Sequence, residues 1–202
     1  MLFRSLINLL QKMIIFEPSK NQYHEKNRDH KRTCSDIGGG ADVLFNRAQE
    51  NKANRPSPPA TASAKIGGAN ITINYSSPSV KGRKIWGDLV PYGEAWRAGA
   101  NEATILETDQ AIKVEGKQLP AGKYSLFAIP GENEWTIILN SETGQWGVKR
   151  GGKANRDAAK DVLTVKVKPV KSAGMNERLT YAFSGPGFVL RWENLEVPVA
   201  VK

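Results

Sequence analysis

From residue 70 onward the chain keeps returning to a repeat of two. Ile71, Ile73 and Tyr75 alternate with Thr72 and Asn74. Leu163, Val165 and Val167 alternate with Thr164, Lys166 and Lys168, and Leu179, Tyr181 and Phe183 with Arg178, Thr180 and Ala182. Successive side chains of an extended strand point to opposite faces, so each segment has one apolar face and one wet face. Two further runs, Tyr124 to Ile129 and Trp135 to Leu139, are apolar on both faces. Such strands belong in the middle of a sheet, under a second layer. Pro120-Ala121-Gly122 and Pro130-Gly131-Glu132-Asn133 punctuate them as turns, which makes Lys123–Ile129 and Glu134–Asn140 a hairpin. Weaker strand patterns cover Thr104–Glu107, Ala111–Val114, Phe188–Glu193 and Glu196–Val201. With about eight to ten strands and no long helical period, the expected fold is all-β: an antiparallel β-sandwich of jelly-roll or related topology. Any helix is short, around Tyr92–Arg97 or Arg156–Lys160.

The residue types divide the chain. All five Trp lie after residue 80, whereas both His (His24, His30) and the one Cys (Cys34) lie before residue 40. This predicts a domain over residues 62–202, of ordinary size, behind an amino-terminal tail over residues 1–61. In the tail, Leu2, Phe3, Leu6, Leu9, Leu10 and Met13 fall at helical spacing, which suits an amphipathic helix able to touch a membrane surface. The run is too short and too interrupted to span a bilayer. Glu17-Pro18-Ser19-Lys20 is not a small-residue cleavage site. Residues 21–59 are polar and rich in Gly and Pro, the composition of a disordered linker. His24, His30 and Cys34 do not have metal-ligand spacing, so no metal or other cofactor is expected.

The net charge is +9, with ten Lys/Arg against six Asp/Glu in residues 1–55 and nineteen against fourteen in the rest. The excess is spread over both parts, and the domain's lysines follow strand patterns rather than clustering, so a nucleic-acid partner is not expected. A mildly basic surface suits anionic partners or simply keeps the protein soluble. The domain has no His and no Cys. That removes Ser-His-Asp and Cys-His catalysis, His-ligated zinc and thiol redox chemistry. No phosphate-binding Gly-rich loop occurs either.

What remains is concentrated in Lys81–Ala103, with two Trp, two Arg, a Tyr, an Asn and carboxylates among glycines. Arg83 and Arg97 have the fork geometry that holds a carboxylate or sulfate bidentately. The competing reading pairs Arg97 with Glu102 or Glu94 to pin the loop. Trp86, Trp96 and Trp146 are either a stacking platform for a sugar or residues that close the ends of the sandwich. Asn101 and Glu102, at a loop-to-strand junction, hydrogen-bond either a ligand or neighbouring backbone. Asp88, Glu94, Glu102 and Glu107 are the acids from which a glycosidase-type pair would have to come.

The ordered residues Lys81-Gly82-Arg83, Ile85, Gly87, Leu89-Val90-Pro91-Tyr92-Gly93, Trp96-Arg97 and Gly99-Ala100-Asn101-Glu102-Ala103 form one long signature. Leu119-Pro120-Ala121-Gly122-Lys123-Tyr124-Ser125-Leu126-Phe127, Ile129-Pro130, Trp135-Thr136-Ile137 and Gln145-Trp146-Gly147 form a second. Together they resemble the bacterial domain of unknown function 2911 family over roughly residues 62–202. The resemblance implies a β-sandwich and export to the periplasm or cell envelope, and no particular activity. The chain departs from it at Val148 to Arg156, a Lys/Gly-rich stretch in place of an aromatic-containing one. The leading expectation is a non-catalytic binding or structural module of the envelope, its ligand a glycan or small anion at Arg83, Trp86, Trp96, Arg97, Asn101, Glu102 or Trp146. The alternatives are a carboxylate-dependent hydrolase acting on a glycan and a protein–protein interaction scaffold.

Overall fold

The computed structural model describes residues 52–202. The helical spacing of Leu2–Met13, the linker up to residue 51 and the trio His24, His30 and Cys34 lie outside the described residues. Ten strands follow: β1 (Pro59–Ile66), β2 (Ala69–Ser76), β3 (Thr104–Thr108), β4 (Ile112–Val114), β5 (Lys117–Leu119), β6 (Gly122–Ile129), β7 (Trp135–Asn140), β8 (Asp161–Val167), β9 (Val170–Ser184) and β10 (Gly187–Ala200). The first layer is an antiparallel sheet of six, in the order β1-β2-β3-β6-β7-β8. Chain order is kept except that β4 and β5 leave it for the other layer.

The second layer is built on the long β9–β10 hairpin, to which β4 adds just past the end of β10. Lys113 N donates to Lys202 O (2.7 Å) and Lys202 N to Lys113 O (2.9 Å). On the other side of β9, Val80 N donates to Glu177 O (2.7 Å) and Leu179 N to Pro78 O (2.9 Å). This all-β antiparallel sandwich is the one the period-two pattern requires. Ile71, Ile73, Leu106, Leu126, Ile137 and Leu139 from the first layer meet Leu179, Tyr181, Phe188, Leu190, Trp192 and Val197 from the second, all buried in one core. Each such side chain contributes about 1.5–3 kcal/mol by leaving water.

The strands read as apolar on both faces, β6 and β7, are central, and their outward residues are buried as well. Phe127 and Ile138 form a second cluster with Ala103, against which Ala154 packs. The loop between β7 and β8 covers this face. Two buried polar side chains there bond to it: Ser125 Oγ donates to Glu142 O (2.6 Å) and Asn140 Nδ2 to Asp157 O (2.7 Å). Asp161, at the start of β8, accepts from Asn140 Nδ2 (2.8 Å) and from Arg156 Nε (2.9 Å). Within Arg156–Lys160 the helix is one 3-10 turn, Ala158–Lys160. Tyr92–Arg97 contains none; Trp96 instead pairs with Ala128 of β6, taking the edge that β3 leaves open beyond Thr104.

β1 has no counterpart in the sequence reading, which starts its strands at residue 70, and it begins three residues before the expected domain boundary. Its inward residues include Ala60, Ala62 and Ile66, only partly buried against the core. Alternation of Ala with Thr, Ser and Lys carries too little hydropathy contrast to stand out.

Candidate functional site

Lys81–Ala103 does two different jobs along its length. Its first half is drawn inward. Val90 N donates to Ile85 O (2.9 Å) and Gly87 N to Val90 O (3.0 Å), closing a tight loop that tucks Trp86 under it. Trp86 meets Trp135 edge-on at 4.9 Å, Trp192 at 5.7 Å and Trp96 at 5.9 Å, while Trp96 stacks on Trp192 at 5.8 Å. Edge-to-face pairs of this kind add to the area they bury. Trp86 is therefore a core residue and is removed from the candidate ligand contacts; only 5 % of it is exposed. Trp96 is partly buried against the same cluster.

At Trp96 the segment runs antiparallel to β6, so the next side chain must point the other way. Trp96 faces the core between the layers, and Arg97 lies outside the first sheet, along Gly147 of the β7–β8 loop. A Cβ at Gly147 would overlap Arg97 Cδ and stand 2.9 Å from Asn101 O. Glycine is required there by close approach rather than by backbone conformation. Gly147 N donates to Asn101 O (3.0 Å) and Ala103 N to Gln145 O (3.2 Å), and Glu102 bridges Trp146. These bonds clasp residues 101–103 to 145–147.

The backbone between Arg97 and Glu102 is forced. Ala98 and Asn101 both adopt left-handed conformations, with φ of 51° and 55°. For Ala that is unfavourable and needs compensation. The compensation is internal: Ala98 O accepts from Tyr181 Oη (2.8 Å) and Thr104 Oγ1 (3.0 Å). Burial pushes the Tyr181 hydroxyl well above its usual range, so it stays a donor. Asn101 tolerates the conformation better, and its Nδ2 donates to Ser57 O (2.9 Å).

The expected Arg97–Glu102 or Arg97–Glu94 pair is not formed. Glu102 is taken by Arg55, whose Nη1 lies 3.0 Å from both carboxylate oxygens, and by Lys52 Nζ at 3.5 Å. Burial pushes Glu102 upward, but its backbone bond, the Arg55 hydrogen bonds and the two cations outweigh that and hold it below the usual carboxylate range. Arg97 Nε is shut off from solvent with no hydrogen-bond partner among the described residues. Burial pulls its guanidinium down from its ordinary value. A buried donor on a charged group without an acceptor is costly.

Trp146, next to Gly147, is 50 % exposed. Asn155 Nδ2 holds its carbonyl at 3.0 Å. The segments that carry Arg97, Asn101 and Glu102 and that carry Trp146 are thus held side by side, Arg97 against Gly147 and Glu102 paired with Trp146. Arg83 is elsewhere, its Nε and Nη2 given to Val80 O (3.0 Å) and Ser79 O (2.6 Å) beside a recess of about 260 Å³ that Pro56, Ser57 and Lys81 also line. A larger recess of about 490 Å³, among Lys166, Lys168, Phe188 and Val199, holds none of the anticipated site residues. Residues the sequence reading did not connect to the site are Arg55 and Lys52, Gly147 as the platform under Arg97, and Asn155.

This arrangement can hold an anion; it is poorly made for acid–base hydrolysis. Glu102, the one candidate acid on the face, is kept ionised by two cations, and Glu107 is paired on β3 and β6 with Lys123 at 3.1 Å. A general acid needs a carboxyl raised above its usual range.

The chain belongs to the family described as protein of unknown function, DUF2911, which it matches over residues 57–201. No curated protein and no solved structure matches it.

Proposed function

We propose that this family member is a non-catalytic ligand-binding module of the bacterial cell envelope, and that its ligand carries an anionic group seated on Arg97 beside Trp146. The observation that carries this reading is the guanidinium of Arg97, partly buried and in no ion pair, with its Nε lacking an acceptor among the described residues. Its natural acceptor, Glu102, is diverted to Arg55. A carboxylate or sulfate at the guanidinium would supply the charge partner that none of the described carboxylates provides. An exposed indole alongside offers an apolar face for a sugar ring.

The test is a titration of isotopically labelled protein with galacturonate, read at the Arg97 Nε–H and Trp146 indole signals. Both should shift together, and Arg97→Ala should abolish the Trp146 shift. Galacturonate, acetate and sulfate all leaving both signals unmoved would refute the reading. The envelope location rests on what the family resemblance implies. Fractionation of the producing cell with amino-terminal sequencing tests it, and an intact Met1 chain in the cytosol would overturn it.

A further inference from the structure

Resting on that reading, we propose that the ligand is a linear acidic polysaccharide, and that the hairpin Val148–Ala154 is a second contact that follows the polymer away from Arg97. The hairpin rises directly from the clasp. Val148 pairs with Ala154, Lys149 N donates to Lys153 O (2.8 Å), and Gly152 N closes the tip on Lys149 O (3.1 Å). Its base is fixed by Asn155 N on Gly147 O (2.9 Å) and by Ala154 packed near Phe127 and Ile138. A ladder of three residues carries its tip about 10 Å from Gly147.

The tip carries Lys149, Arg150 and Lys153, all exposed. No ion pair joins them to any carboxylate among the described residues, whereas the cation at the foot of the hairpin, Arg156, is committed to Asp161. Lys52 and Arg55 both pair with Glu102, leaving one net positive charge at the residue that bridges Trp146. The result is three cations, unpaired among the described residues, on the hairpin that follows the exposed indole of Trp146, and a net positive cluster at its bridge partner Glu102.

Two observations favour a glycan over the other common polyanion. Neither of the two recesses described above contains Arg97 or Trp146, and Trp146 is half-exposed, which suits a polymer lying across the surface better than an enclosed small molecule. A single-stranded nucleic acid is bound by a row of stacking aromatics. Here Trp86, Trp135 and Trp192 are buried and Trp146 is the one exposed indole; one sugar ring needs one aromatic face.

The experiment compares the full chain with a Lys149→Ser/Arg150→Ser/Lys153→Ser variant, which leaves the glycines of the turn in place. Probes are galacturonate, polygalacturonate, dextran sulfate, neutral dextran and a single-stranded DNA oligonucleotide. The parent should bind polygalacturonate or dextran sulfate, ignore dextran, and bind the oligonucleotide more weakly than the acidic polysaccharide. The variant should lose about tenfold in polymer affinity, the weight of three exposed ion pairs, with its galacturonate binding unchanged. Polymer affinity equal to the parent's in the variant would overturn the hairpin's role. So would galacturonate binding in the parent without binding of either acidic polymer, which leaves the Arg97 reading standing. Preference for the oligonucleotide would overturn the glycan assignment. Failure of galacturonate together with both polymers would remove the Arg97 reading itself.

Discussion

Trp96 and Arg97 are neighbours in sequence and belong to opposite worlds. Trp96 packs with Trp86, Trp135 and Trp192 between the layers, and Arg97 lies across Gly147 on the outside of the first sheet. In the indole cluster each ring meets another ring, although the buried Nε1 donors of Trp86, Trp135 and Trp192 have no hydrogen-bond partner among the described residues. On the outer face the donor without an acceptor among the described residues, Arg97 Nε, belongs to a charged group, and the Trp146 indole is half-exposed. A segment rich in aromatics and arginines is therefore not one site. The strand period divides it into a half that packs in the core and a half that lies outside the first sheet.

The comparison breaks most visibly at the core. Trp135→Ala removes a fully buried ring and should cost about 3–5 kcal/mol, read as the midpoint of denaturant unfolding. An unchanged midpoint would mean the cluster does not hold the layers together. Next comes the foot of the hairpin. Asp161→Asn takes away the partner of Arg156 in a mostly buried pair and should cost about 1.5–3 kcal/mol at neutral pH. Burial pushes the Asp161 carboxyl up, but hydrogen bonds from Arg156 and Asn140 and the charge of Arg156 hold it below its usual value. Its stabilisation is therefore complete above the unfolded value of about 3.9 and is lost as pH falls through the lower, folded value. The parent should lose stability more steeply than Asp161→Asn on acidification below about pH 4; parallel curves would say the pair is energetically idle.

Gly147→Ala sharpens the contrast from the other side. The added methyl meets Arg97 and the Asn101 carbonyl, and overpacking of this kind costs about 1–3 kcal/mol. It should also displace the Arg97 Nε–H resonance and weaken galacturonate binding. Full retention of both would show that the clasp does not position Arg97. Trp146→Ala should be the mildest in stability, within about 0.5 kcal/mol as for an ordinary surface change, while lowering affinity for sugar acids. A large drop in melting temperature would make Trp146 a packing residue.

Much of the sandwich was legible because alternation of large apolar with polar residues is a direct image of a half-buried strand. β6 and β7 were legible as central for the opposite reason, being apolar on both faces. β1 was not, since its inward residues are mostly alanines; nor was β5, where Leu119 alone is buried. At the site, the residue types were visible and their division was not. The side on which Trp96 falls depends on its pairing with Ala128, a contact across 32 positions. The pairing of Glu102 with Arg55 spans 47 and reaches into a stretch that composition assigns to the tail. Local charge spacing favours Glu102 or Glu94 for Arg97, and a long-range partner wins instead.

The central claim is that Arg97 is kept for a ligand and not for the fold. Arg97→Met retains the length of the stem and removes the charge and the unpaired donor. Denaturant unfolding of this variant beside the parent, each with and without galacturonate, tests the claim most directly. The account predicts a variant at least as stable as the parent in the absence of ligand, because an uncompensated buried donor has gone, and no stabilisation on adding galacturonate. A loss of about 2 kcal/mol or more without ligand, the size of a broken structural hydrogen bond to a charged group, together with galacturonate stabilisation equal to the parent's, would contradict it.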